Sequence, residues 1–400
     1  MTGKPPTKIL FVETASAMAG VEFSTLYLAQ HLDRARWAAQ VVCPEEGDLP
    51  AACRAAGVAV AILPRPALRP SSLRVGQGDR RIPDPAAWAW DLGSLLVAAR
   101  RYSRFLQAER PGLVITKGTL AHFYGGLAAR RAGIPCIWHV QDFISERFWG
   151  LNRRVFGLLA GWLSTQVIAD GGSIIRQLPL KVQAKAHVVF NGVDTAVFHP
   201  GIDGSPVRQE LAIPAEAAVI GHVARLTPWK GQHHLLEAFG QIAPKFPQAY
   251  LLLVGSPLFD SNAYEQQLKK RSRELGLNER VIFAGYRRDL PQVLGAMDIF
   301  AYPSVEKDTS PLSLLSAMAT GLPLVAFKID GVCEVVEGGA EGLLVQVGNT
   351  VELARALERL LCSATLRQSL ARKIHRKAVA CFSLDAYVKN MQALLERIAR

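Results

Sequence analysis

Two cations close together on one loop are the first chemistry the sequence offers. The segment Gly221-His-Val-Ala-Arg-Leu-Thr-Pro-Trp-Lys-Gly231 follows an apolar run and leads into a helix-like stretch, which places Arg225 and Lys230 between a strand and a helix. Arginine supplies a planar fork of donors and lysine a mobile point charge, a pair suited to a diphosphate. The plainer alternative is two solvated loop cations. A second segment, Tyr302 to Pro323, holds Asp308, Ser310, Pro311, Leu312 and Ser313. Ser310 is expected as a helix N-cap and Pro311 as the first helical residue. The helix's leading N–H groups would then form an anion site beyond the strand 299–303. Asp308, just ahead of it, is placed to accept sugar hydroxyls, or simply to match the helix dipole.

The first half offers a weaker set. Gly20 follows the strand-like run to Glu13 and would let the backbone approach a phosphate or acceptor closely. Glu22 falls in the first turn of the next helix, where the dipole alone also favours a carboxylate. His139 and Gln141, two apart, share one face of a strand, and Asp142 follows. A strand-end histidine is more often a hydrogen-bonded structural residue than a catalyst.

The elements that must position these groups repeat twice. In the first half, strands are expected at 8–13, 39–43, 58–63, 113–117, 136–141, 167–170 and 187–190. The second half repeats the pattern at 219–224, 250–255, 281–285, 299–303, 322–327 and 343–347. Most are continuous apolar runs, as expected of parallel strands buried on both faces. Helical stretches lie between them at 24–32, 120–132, 232–242, 261–275, 290–296, 313–320 and 351–360. This alternation predicts two doubly wound α/β domains, with the boundary in the turn-rich segment 191–214. Residues 64–85, with five Arg and five Pro, read as an exposed basic loop.

Composition narrows the function classes. Half of the 400 residues are hydrophobic and no apolar run is long enough for a membrane helix, so a soluble globular protein is expected. No secretory signal is evident at the start, and the six cysteines form no Cys-x-x-Cys pair. Buried free thiols in a cytoplasmic protein are the expectation. Of the net charge of +12, residues 1–190 carry +10, from 23 Lys and Arg against 13 Asp and Glu. Such a half suits an anionic partner, whether membrane surface or phosphorylated substrate, although solubility alone would also explain it. Aromatic-interleaved basic modules are absent, so no nucleic acid is expected. Signatures of dehydrogenases, P-loop enzymes, serine hydrolases and zinc proteases are missing too.

Taken in order, several segments carry a resemblance. They are Ala19-Gly20-Val21-Glu22, His139-Val140-Gln141-Asp142, Phe190-Asn191-Gly192-Val193-Asp194, Ala224-Arg225-Leu226 with Lys230-Gly231, Asp298 to Ser304, and Leu314 to Gly321 before Pro323. Over nearly its whole length the chain resembles a GT-B-fold retaining glycosyltransferase of glycosyltransferase family 4. The resemblance implies two facing Rossmann-like domains with an interdomain cleft. Residues 1–190 would bind the acceptor and 191–383 the nucleotide-sugar donor, while residues 384–400 could close either domain. Arg225 and Lys230 would hold the donor diphosphate, Asp308 the donor sugar, and backbone near Gly285 and Tyr286 the base. Glu334 matches the carboxylate of the family's Gly-Gly-x-x-Glu stretch.

The resemblance also implies that loop amides near Ser310–Ser313 face the donor. His139, Gly20, Glu22 and Asp142 would serve catalysis and the acceptor. Four departures stand out. The family's Glu-x7-Glu is Asp308 and Ser316 here, its N-terminal glycine pair is Ala19-Gly20, its usual catalytic histidine is Gln141, and Pro311 brings no N–H. The expected activity is hexosyl transfer from a nucleotide diphosphate to a glycan or lipid-linked acceptor in cell-envelope or polysaccharide synthesis. No cofactor or metal is implied, and a peripheral place on the inner face of an anionic membrane is expected. A non-catalytic GT-B subunit binding a partner transferase or glycan is the alternative.

Overall fold

The computed structural model of the chain describes residues 5–18, 20–66, 68, 72–74, 81–83, 85–141, 143–144, 151–257, 262–306 and 308–398. It divides into two compact units, residues 1–189 with 388–400, and residues 190–387. In the first unit the strands are β1 (Thr7–Val12), β2 (Trp37–Cys43), β3 (Ala59–Ile62), β4 (Ser72–Arg74), β5 (Arg81–Pro83), β6 (Leu113–Lys117), β7 (Cys136–Val140), β8 (Gln166–Ala169) and β9 (Ala186–Val188). Seven of them form one parallel sheet in the order β3-β2-β1-β6-β7-β8-β9, while β4 and β5 pair as a small antiparallel ladder within the expected basic loop.

The second unit holds β10 (Ala218–Val223), β11 (Ala249–Val254), β12 (Val281–Gly285), β13 (Ile299–Tyr302), β14 (Leu324–Phe327) and β15 (Leu343–Val345). They form a six-stranded parallel sheet in the order β12-β11-β10-β13-β14-β15. Both orders run outward in two directions from a central pair of strands, the doubly wound arrangement. The predicted strands are all present within a residue or two at their ends. Helices Asp48–Ala55, Pro85–Glu109 and Ala364–Phe382 were not anticipated.

The apolar runs explain the two-sided burial. Along β13, Phe300 and Tyr302 pack into one core with Leu314 and Met318, while Ile299 and Ala301 face the other with Leu236, Phe239 and Leu357. Successive strand side chains point to opposite faces, so a sheet covered by helices on both sides needs both parities apolar. The same reasoning makes the strand ends informative: charge there lies where the covering stops. One expectation about thiols fails. Cys43, Cys53 and Cys136 are buried, but Cys333, Cys362 and Cys381 lie on exposed positions of helices. Among the described residues no helix is long and apolar enough to cross a membrane.

Candidate active site

In the second unit the order reverses between β10 and β13, and open parallel sheets bind ligands beyond the carboxyl ends at such a point. The loops after these two strands carry the predicted residues. Ala224–Gly231 follows β10, and Pro303–Pro311 follows β13. They are joined by Val305 N donating to Trp229 O at 2.9 Å and Ser304 Oγ donating to the same oxygen at 3.2 Å. Gly231 sits at φ +74, and a Cβ there would lie 1.9 Å from the Pro303 carbonyl oxygen. Only glycine allows that approach.

The juncture brings Lys230 and Asp308 together. Lys230 Nζ donates to Asp308 Oδ2 and lies 3.3 Å from the Tyr302 hydroxyl, which itself donates to Asp308 Oδ2. Lys230 is only 9% exposed, which corrects the reading of it as a solvated loop cation. Burial, and next the Asp308 charge, push the Tyr302 hydroxyl well above its ordinary pKa, so it remains a donor. Arg225 is exposed, with its guanidinium 5.6 Å from the Trp229 ring that Lys230 approaches to 4.3 Å. Gln232 Nε2 fixes the Arg225 backbone by donating to its carbonyl at 2.8 Å.

The helix after β13 departs from expectation. It runs Leu312–Ala319, and Pro311, not Ser310, occupies the cap position without a side-chain capping bond. Ser310 has a left-handed backbone, φ 43, and is buried. Its Oγ accepts from Asn191 N at 3.0 Å and its carbonyl from Asn191 Nδ2 at 3.3 Å. Those bonds hold a conformation that is costly for a residue with a Cβ. Leu312 and Ser313 are half-buried in the first turn, and Ser316 is buried one turn on. Glu334 is half-buried on the helix Asp330–Val335. That helix reaches the same loop, because a Cβ on Gly331 would lie 1.7 Å from the Asp308 carbonyl oxygen. Tyr286 lies apart, 71% exposed just after β12 at the sheet's edge.

The first unit places its residues differently. Gly20 opens the helix Gly20–His31, and Glu22 is buried in its first turn. Asp142 lies outside the described residues. His139 is fully buried, with Nε2 2.8 Å from Asp170 Oδ1 and Nδ1 without a hydrogen-bond partner among the described residues. Burial and then Lys117 hold its imidazole below the usual pKa, so it is neutral. Among the described residues it is enclosed, and its Nε2 faces Asp170.

Around it lies a polar network that the sequence reading missed, gathered at the carboxyl ends of β1, β6, β7 and β8. Gln141 Nε2 donates to Asp170 Oδ2 at 3.0 Å and to Ser24 Oγ at 3.1 Å. Lys117 Nζ donates to Ser24 Oγ at 2.6 Å, and Thr25 Oγ1 donates to Glu13 Oε1. Burial raises Glu13 to about 7 against the pull of Lys117, and burial lowers Lys117. The signal available was a lysine and a glutamate closing otherwise apolar strands. Tyr302, also missed, looked like another apolar strand residue. Among the described residues no group of three or more His, Cys, Asp or Glu is placed to hold a metal ion.

Two Rossmann-like units, one with paired cations at its switch point, define a GT-B glycosyltransferase. The family models agree: Glycosyltransferase Family 4 matches residues 18–197 and Glycosyl transferases group 1 matches residues 205–377. The chain belongs to glycosyltransferase family 4. It is similar to Anabaena HepE solved in complex with UDP, at TM-score 0.83 and 27% identity over 98% of this chain and 100% of that one. The same protein has been solved with UDP-glucose. The Escherichia coli UDP-Gal:alpha-D-GlcNAc-diphosphoundecaprenol alpha-1,3-galactosyltransferase is 27% identical over 73% of this chain and 76% of its own length. The lipopolysaccharide core biosynthesis glycosyltransferase LpsE of Rhizobium meliloti is 32% identical over 47% of this chain and 52% of its own.

Proposed function

We propose that the chain moves a hexose-type sugar, with retention of configuration, from a nucleotide diphosphate to a glycan or lipid-linked acceptor of the cell envelope. The observation that carries this reading is the Lys230–Asp308–Tyr302 cluster at the second sheet's switch point, beside the exposed Arg225. A donor diphosphate would take Arg225 and Lys230, and the two cations would neutralise charge developing on the leaving phosphates. Asp308, already held by Tyr302, would accept hydroxyls of the donor sugar. Backbone near Gly285 and Tyr286 would meet the base, and the first-turn residues Leu312 and Ser313 would meet the phosphates. The first unit would carry the acceptor near Gly20 and Glu22. UDP sugars are the first donors to try, because HepE was solved with UDP and UDP-glucose.

A peripheral place on an anionic membrane is part of the proposal. Helix Leu151–Leu163 turns Phe156, Ala160 and Leu163 into the core, while Leu151, Val155, Leu158 and Trp162 remain exposed. Their spacing of i, i+4, i+7 and i+11 draws one apolar stripe, with Arg153 and Arg154 on the same helix. Arg130 stacks 4.9 Å from the Trp162 ring. Such a stripe among cations suits a lipid surface.

Thermal stabilisation and donor hydrolysis across a panel of nucleotide sugars tests the activity. One nucleotide sugar that both stabilises the protein and is hydrolysed to free sugar and nucleoside diphosphate supports it. Failure of every nucleotide diphosphate to bind would overturn it in favour of a non-catalytic GT-B subunit.

A further inference from the structure

The buried network of the first unit converges on the start of the helix Gly20–His31 and on Gln141. Glu13 follows β1, and Ser24 and Thr25 lie one turn beyond Gly20 on this helix. Thr25 is held by Glu13 and Ser24 by Lys117, so the first turns of this helix are tied to the ends of two strands. Tyr124 adds a hydroxyl donated to the Glu13 carbonyl at 3.4 Å. The same Ser24 hydroxyl receives Gln141 Nε2, whose other N–H goes to Asp170. An amide nitrogen has two hydrogens and a carboxylate only accepts, so these bonds fix which way the Gln141 amide faces. His139 in turn holds the other oxygen of Asp170. Lys117 and Gln141 thus meet on one hydroxyl, Ser24 Oγ, which links the strand end at Lys117 to the helix carrying Gly20 and Glu22 and to the side chain of Gln141.

We propose that Lys117, with Asp170, is a positioning residue of the transfer reaction, acting through Ser24 and Gln141 without touching substrate. This rests on the reading that the acceptor binds near Gly20 and Glu22. A burial so complete is otherwise hard to account for: Lys117 and Glu13 are 0% exposed and Asp170 1%, charges that an apolar set of the same size would replace without the desolvation cost.

The test compares three proteins: the parent, Lys117→Met, and Glu13→Gln/Lys117→Met, in which the charges are removed as a pair so that the fold is kept. UDP affinity by calorimetry should stay within twofold in both variants. With UDP-glucose as donor and a short-chain GlcNAc-diphosphoryl lipid as acceptor probe, the acceptor KM should rise tenfold or more while kcat changes less. Hydrogen–deuterium exchange should quicken at the amides of residues 20–25, and in the double variant this should persist although its melting temperature returns to the parent's. Asp170→Asn should raise the acceptor KM in the same direction. A double variant with parental stability, parental exchange at residues 20–25 and parental KM overturns the proposal. If the parent transfers nothing with this pair, the donor panel described above decides the functional reading separately. The exchange data still decide the positioning claim: unchanged exchange in both variants overturns it, and faster exchange confined to residues 20–25 supports it.

Discussion

Both units gather ionisable side chains at the carboxyl edge of a parallel sheet, but only one gathers them where a ligand can reach. In the first, Glu13, Lys117, His139 and Asp170 are sealed from solvent. In the second, Lys230 and Asp308 are partly covered, and Arg225 stands in the open beside them. Desolvated charge with no route to a ligand can only set geometry, whereas a pair that keeps 11% and 17% of its side chains exposed can exchange its partner for a phosphate or a hydroxyl. Similar sheets therefore support different work because one edge is covered by a helix bearing Ser24 and Thr25, and the other by loops.

The largest expected effect lies at the open cluster. Arg225→Ala and Lys230→Ala should each lose about 2–5 kcal/mol of transition-state stabilisation, a fall in kcat/KM of roughly thirtyfold to several thousandfold. The two should part in stability. Arg225 is exposed and its loss should leave the melting temperature alone. Removing Lys230 strands the Asp308 carboxylate, 17% exposed, and should cost about 2–4 kcal/mol. Adding Asp308→Asn should recover much of that stability but none of the turnover. Parental kcat/KM in both single variants would remove the phosphate assignment.

Next comes the sealed cluster, through pH. Burial raises the Glu13 pKa from 4.5 to about 7, above its unfolded value. Its contribution to stability is then fully present below about pH 4.5 and is lost as pH rises through about 7. At about 1.4 kcal/mol per unit, the loss by pH 8 is on the order of a few kcal/mol. Glu13→Gln keeps an acceptor for Thr25 but has no proton to lose. Urea unfolding at pH 5, 6, 7 and 8 should show the parent falling relative to the variant, and parallel pH curves would mean that Glu13 is not burdened by burial.

The exposed stripe on helix Leu151–Leu163 gives a smaller effect. Leu158 is 72% exposed and Trp162 52%, so Leu158→Asp with Trp162→Ala should leave the fold intact. Co-sedimentation with anionic vesicles at low salt should weaken about tenfold, and raised salt should weaken the parent as well. No parental binding at low salt would end the membrane proposal.

The contrast between the clusters also explains what was legible in the sequence. The second-unit loops announced themselves because polar residues there interrupt apolar runs at glycine and proline: Arg225 to Gly231, and Asp308 to Pro311. The sealed network did not. Glu13 and Lys117 each look like the ordinary polar end of a strand, and Asp170 like a turn residue. Their meeting depends on the strand order β1-β6-β7-β8, which no local pattern states. Ser310 misled for a related reason. Its type fits an N-cap, but Asn191, far off in sequence, competes for its hydroxyl and wins. Helix Pro85–Glu109 was missed because its start adjoins the proline- and arginine-rich stretch that reads as loop.

The smallest effect expected lies at position 316. A glutamate is usual there in the family, and a ribose would give it two charge-assisted hydrogen bonds that a serine cannot match. Ser316 is buried on the helix Leu312–Ala319, one turn beyond Leu312 and Ser313. Helical side chains lean toward the N-terminus, so the carboxylate of Ser316→Glu would reach back to the first turn, where the N–H groups of residues 312–314 lack intrahelical acceptors. Two outcomes then compete. If the carboxylate turns outward, UDP affinity should rise about tenfold, since ~1.4 kcal/mol is a factor of ten, and a dideoxyribose analogue should show no gain. If it caps its own helix instead, the melting temperature should rise with no change for either nucleotide. Calorimetry with both nucleotides, beside thermal melts, separates them. The capping result would also bear on the comparison of the two edges. It would show that the second-unit cluster has helix amides in need of an anion, the role a donor phosphate would otherwise fill, while the sealed cluster of the first unit already holds its charges within the fold.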